Sequence, residues 1–177
     1  LADTPAYLNF PGEDAVTEYR EGVFVGYRYY DKKQMEVLFP FGYGLSYTNF
    51  AYHDLTVDRQ ALTDADTLTV RVTVTNTGSR FGKEAVQLYI APPAGMRQRP
   101  VRELKAFAKA ALAPGQSQTL EFTLTGRDFS YYEPLLHDFY AESGRYDIEI
   151  GASSRDIRLR TAVELTATRP LPRTFTE

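Results

Sequence analysis

Thr67-Leu68-Thr69-Val70-Arg71-Val72-Thr73-Val74-Thr75, followed by Asn76-Thr77-Gly78-Ser79, places an aliphatic residue at every second position and then a cluster of turn formers. Successive side chains on a pleated strand face opposite ways, so Leu68, Val70, Val72 and Val74 make one apolar face and the threonines with Arg71 make the other. Val and Thr suit an extended backbone, and Asn-Thr-Gly-Ser suits the turn that ends it. The stretch reads as a half-buried β-strand.

The same period recurs on either side. Val86, Leu88 and Ile90 precede Pro92-Pro93; Leu120, Phe122 and Leu124 follow Pro114-Gly115; Tyr146, Ile148 and Ile150 follow Ser143-Gly144; and Ile157, Leu159, Val163 and Leu165 follow Ser153-Ser154. Looser strands are expected over Phe50 to Val57, Leu104 to Leu112 and Phe129 to Tyr132. About seven or eight short strands over roughly 115 residues, each with one apolar face and no helical period between them, call for two packed antiparallel sheets.

Residues 1–48 differ, being rich in aromatics and glycine without sustained period, and read as a connector. In it, Phe39-Pro40-Phe41-Gly42-Tyr43-Gly44-Leu45 suits irregular backbone pinned by buried rings. The expected organisation is a connector over 1–48, a sandwich over 49–166 and a peripheral tail over 167–177, which holds Pro170 and Pro172.

With 177 residues, 43% of them hydrophobic and 24% charged, the chain can bury one main core. A net charge of −3 without a basic stripe argues against nucleic acid as a partner. No apolar run approaches the roughly 18 to 20 residues of a membrane-spanning helix, so a soluble protein is expected. The absence of cysteine removes disulfides and Cys-ligated zinc, and leaves a cytoplasmic or secreted location undecided. The first residues lack a signal-peptide pattern, and Leu1 in place of an initiating Met suggests a fragment or a processed chain.

Chemistry is scarce. Glycosidases need paired carboxyl groups, but Glu121, Asp147, Glu149 and Glu164 fall on the polar phase of their strands and read as a solvated face. His53 and His137 have no metal-ligand spacing, no serine sits in a Gly-x-Ser-x-Gly elbow, and Gly42-Tyr43-Gly44 is a turn rather than a phosphate loop. No catalytic residue, metal ligand or cofactor is therefore assigned. Two features stand out. Tyr27, Arg28, Tyr29 and Tyr30 put adjacent rings on an irregular segment, where they cannot all point inward, and are candidates for the rim of a substrate cleft. Arg97, Arg99 and Arg102, in and behind the loop Pro92 to Pro100, are candidates for an interface with a neighbouring domain.

Glu21-Gly22-Val23-Phe24-Val25-Gly26-Tyr27-Arg28-Tyr29-Tyr30-Asp31 and Leu38-Phe39-Pro40-Phe41-Gly42-Tyr43-Gly44-Leu45-Ser46-Tyr47-Thr48 resemble the passage joining the α/β-sandwich domain to the last domain in family 3 glycoside hydrolases. This implies that residues 1–48 hold the end of that α/β-sandwich domain and an aromatic connector expected near the aglycone side of the cleft. Val72 to Gly78, Glu84 to Ile90, Arg102 to Phe107, Leu112 to Gly115 and Gly151 to Leu159 look like that family's fibronectin type III-like domain. Phe139 stands near where relatives often carry Trp. The resemblance implies an all-β, immunoglobulin-like or fibronectin type III-like sandwich belonging to a β-glucosidase-like retaining enzyme. Its nucleophilic Asp and acid/base Glu would lie in domains outside this chain. The partners implied are those catalytic domains, in the same or a separate chain, with the β-glucoside substrate reached only indirectly and self-association left open. An independent carbohydrate-binding or adhesion module is the alternative.

Overall fold

A computed structural model describes residues 2–95 and 98–170. A short helix, α1 (Tyr27–Lys32), comes first, followed by β1 (Phe50–Val57), β2 (Ala61–Thr63), β3 (Thr67–Asn76), β4 (Gly82–Ala91), β5 (Glu103–Leu112) and β6 (Ser117–Thr125). After a helical turn, α2 (Gly126–Phe129), come β7 (Tyr131–Glu133), β8 (Asp138–Tyr140), β9 (Gly144–Gly151) and β10 (Ile157–Thr166). The ten strands are two more than the upper expectation. The additions, β2 and β8, are three residues long and too short to show a period.

One sheet has the order β1-β3-β6 and the other β2-β10-β9-β4-β5, while β7 and β8 form a separate hairpin. All pairings among them are antiparallel except β2 with β10, which is parallel and registers Ala61 against Glu164. A parallel pair needs a long return path, and here almost the whole sandwich is that path.

Leu68, Val70, Val72 and Val74 are fully buried, and across the gap lie Val86, Leu88, Ile90, Ile148 and Ile150, also closed to solvent. Leu120, Phe122 and Leu124 of β6 extend the β3 side, because the register places Phe122 beside Val70 and Leu120 beside Val72. The outward face of the smaller sheet is polar and paired across strands. Thr73 bonds Thr119 at 2.9 Å, Thr75 bonds Ser117 at 2.7 Å, and Arg71 meets Glu121 at 2.7 Å. Such exposed pairs contribute little each, so the inter-sheet core carries the stability.

Asn76, read as a turn residue, ends β3 fully buried. Its Nδ2 donates to the carbonyls of Arg80 (2.7 Å) and Leu112 (2.9 Å), and its Oδ1 accepts from Thr48 Oγ1 (2.6 Å) and the Gly78 amide (3.1 Å). One side chain thus ties the start of the sandwich to the ends of β3 and β5. Asn76→Ala strands several buried polar groups, and a loss of about 2–4 kcal/mol is expected by urea unfolding, against less than about 0.5 kcal/mol for Thr123→Ala on the exposed face.

The tyrosines make the fold sensitive to alkali. Burial pushes the phenols of Tyr52 and Tyr89 far above their ordinary range, helped at Tyr52 by its 2.8 Å hydrogen bond to Glu84. In the unfolded chain they ionise near pH 10. The unfolded state therefore sheds protons that the folded state keeps, and stability should fall as pH rises above about 10. The urea midpoint is expected to drop between about pH 10 and 12, and to drop less in Tyr52→Phe.

Candidate functional site

The connector folds back on the outer face of the larger sheet, and α1 is its anchor. The cluster Tyr27 to Tyr30, expected on irregular backbone, is helical, entered through Gly26 at φ +57°. The correction has a simple cause: at about 100° per residue, a helix fans adjacent side chains apart, so four neighbouring residues serve four directions.

Tyr27 points to the sandwich. Its ring stacks on Phe41 with centroids 4.4 Å apart and meets Tyr89 edge-on, and its hydroxyl accepts the Leu104 amide at 2.9 Å. Arg28 reaches Glu103 at 3.4 Å. Tyr30 joins Tyr27, Asp31, Leu38, Phe41 and Arg155 around a cleft of about 430 Å³, whereas Tyr29 lines a different one of about 600 Å³ with Leu8, Arg20, Phe24 and Lys32. The rings of Tyr29 and Tyr30 meet edge-on with centroids 5.6 Å apart, but of the four rim candidates only Tyr27 and Tyr30 line a common cleft.

Around them runs a set of bonds that the sequence did not disclose. Asp31 accepts Arg155 Nε at 2.7 Å, while Arg155 Nη2 donates to the Met35 carbonyl at 2.8 Å. Gln87, on β4, donates to the carbonyls of Gly42 (3.1 Å) and Ala152 (2.7 Å), and its Oε1 accepts the Tyr89 hydroxyl. The Ser154 amide donates to the Phe41 carbonyl at 2.8 Å. Gln87 and Tyr89 sit on the outward phase of β4 and Arg155 in the turn after β9, and only their contact with a distant segment gives them a role, so no local period could have marked them.

Two further expectations are corrected. The rings of Phe39, Phe41 and Tyr43 are not buried pins: Phe39 stacks on Tyr43 at 5.4 Å with both exposed, and Phe41 keeps its far side open. The Pro40-to-Tyr43 turn presents Phe39 and Tyr43 outward, while Phe41 is covered on one face by Tyr27. Glu149, expected on a solvated face, is buried, and its carboxylate is shared by Arg102 Nε and Arg160 Nε. Glu121 and Glu164 are exposed as expected.

Of the three interface candidates, Arg97 lies outside the described residues. Arg99 is buried under its own domain, donating from Nη1 to the Phe129 carbonyl at 3.1 Å and lying over the ring of Tyr131. Arg102 holds Glu149 and the Ser154 carbonyl, the latter at 2.7 Å. Both guanidinium groups stitch the loop to the sandwich. His53 bonds Asp54 and Thr75, and among the described residues no group of three or more His, Asp or Glu is placed to hold a metal ion.

The fibronectin type III-like domain family matches residues 84–154. The crystal structure of a GH3 β-glucosidase from Bifidobacterium adolescentis superposes with a TM-score of 0.89 at 43% identity, over 99% of this chain and 26% of that one. The chain is the fibronectin type III-like region of family 3 β-glucosidase-like proteins. Thermostable β-glucosidase B of Acetivibrio thermocellus is 49% identical to this region over 99% of the chain and 23% of its own length. An exo-α-(1→6)-L-arabinopyranosidase of Bifidobacterium longum is 46% identical over 93% of the chain and 21% of its own length. The fibronectin type III-like region thus spans about a quarter of the length of the relatives it matches.

Gly42 tests the connector's seat. It sits at φ +81°, and an added Cβ would stand 2.1 Å from Gln87 Oε1. Gly42→Ala should cost about 1–3 kcal/mol and speed amide exchange over residues 35–47, with β3 and β6 keeping their protection.

Proposed function

We propose that this region is the non-catalytic accessory domain of a β-glucosidase-like family 3 glycoside hydrolase, a retaining enzyme for β-glycosidic bonds whose catalytic carboxylates lie in the rest of the polypeptide. The observation that carries the proposal is the apolar outer surface of the connector. Leu38, Leu45 and Tyr47 are 88%, 88% and 92% exposed, and Leu8, Phe10 and Tyr19 are similarly bare. Large side chains grouped in this way mark an interface, and relatives roughly four times as long supply its other half. The sandwich would then brace the catalytic domains through a connector fixed on one side by Tyr27, Gln87 and Arg155.

Within this reading, Tyr27 and Arg28 are committed to the sandwich, and the half-buried Tyr29 and Tyr30 are the residues we place at the substrate rim. The choice of glycoside lies elsewhere in the polypeptide. Relatives named for β-glucoside and α-L-arabinopyranoside hydrolysis match this region at 49% and 46% identity, so the region does not discriminate between them.

Replacing Leu38, Leu45 and Tyr47 together by Ser tests the interface. Each buried side chain of this size is worth about 1.5–3 kcal/mol. The full-length enzyme should melt several degrees lower and become open to protease at the junction, while the isolated 177-residue chain should melt as before. Unchanged melting of the full-length enzyme would refute the accessory role drawn here.

A further inference from the structure

A third cleft, of about 430 Å³, opens between the start of β5 and the β7–β8 hairpin. Its charges do not balance. Among the described residues, Arg28, Arg99, Lys105 and Arg127 bring four positive charges to the lining, against two negative ones from Glu103 and Glu133. Glu103 is pulled three ways, by Arg28 at 3.4 Å, Arg99 at 3.4 Å and Lys105 at 3.5 Å. All three contacts are longer than a good charge-assisted hydrogen bond. Glu133 is fully buried and accepts the Leu135 amide at 3.2 Å. The nearby Asp128 is engaged in capping α2 through the Thr125 amide and hydroxyl.

Two of the cations, Arg99 and Lys105, are also poorly solvated. The Arg99 side chain is 6% exposed, and its Nε is buried without a hydrogen-bond partner among the described residues. Burial pushes the Lys105 ammonium below its ordinary range, opposed by Glu103 and reinforced by Arg99. A buried cation without full pairing is costly, and the cheapest remedy is one more negative group delivered into the cleft.

We propose that this cleft is a carboxylate-binding site, in which a ligand carboxylate bridges Lys105 and Arg28 beside Arg99, with the Tyr131 ring forming part of the wall. A planar, two-oxygen anion suits the forked guanidinium groups. The aromatic wall suits the ring of an acidic sugar, and the same chemistry could be supplied by an acidic side chain from the rest of the enzyme. The site stands independently of the accessory role, since it is built wholly from this chain.

The test is a set of NMR titrations of the 177-residue chain with sodium acetate, sodium glucuronate and glucose, at ionic strength held constant with chloride. Acetate and glucuronate should give saturable, mutually competitive shifts at Lys105 and Tyr131 in the millimolar range, and glucose should give none. Lys105→Gln and Arg28→Gln should each weaken binding about tenfold in chains whose unliganded NMR spectra show the fold intact. No saturable shift with either carboxylate, or equal binding by the variants, would overturn the proposal. The same titration of the full-length enzyme separates the sources: retained glucuronate binding points to an acidic sugar, and loss of the site there points to an acidic side chain already occupying it.

Discussion

The burial of β4 on both faces constrains the rest of the molecule. Val86, Leu88 and Ile90 face the β3 side of the core, while Gln87 and Tyr89 face away from it and are equally closed to solvent. A strand in this position cannot be served by a two-layer sandwich alone. A third layer is needed, and the connector supplies it, with Tyr27 against Tyr89, Phe41 stacked on Tyr27, and the Gly42 backbone against Gln87. Sandwich and connector are therefore one unit physically, although their sequences look unrelated.

That dependence explains what was legible in the chain. The period of two announced the strands whose apolar face meets the other sheet, because that contact imposes a strict alternation; Leu68 to Val74 and Leu120 to Leu124 are the cleanest cases. It misjudged Glu149, which alternates correctly yet is buried, because the covering groups, Arg102 and Arg160, come from β10 and from the residue just before β5. It equally gave no hint of β2 and β8, whose three residues cannot display a period. The helix at Tyr27 escaped for the opposite reason: a turn and a half of helix, rich in aromatics, has no apolar stripe to read.

The same contrast runs through the candidate site. Tyr27 to Tyr30 drew notice as a local oddity of sequence, and the structure sends Tyr27 and Arg28 to the sandwich while the rings of Tyr29 and Tyr30 meet each other. The pairs that seat the connector, Asp31 with Arg155 and Gln87 with Gly42, join segments that carry no mark of each other. Charge tells a similar story on β5, where Glu103 draws the distant Arg28 to the neighbouring Arg99 and Lys105. Only the assembled sheet makes that crowding visible.

The Asp31–Arg155 and Tyr27–Leu104 bonds also set an order in time, since they link residues 124 and 77 positions apart. A growing chain exposes the connector first, long before β4, β5 and the turn after β9 exist to receive it. Closing such long loops is slow and gains nothing until the far partner is in place. The connector must therefore wait, with its aromatic rings uncovered, and can seat only once the sandwich has closed. During synthesis the most adhesive segment of the region is thus the first to emerge and the last to be covered.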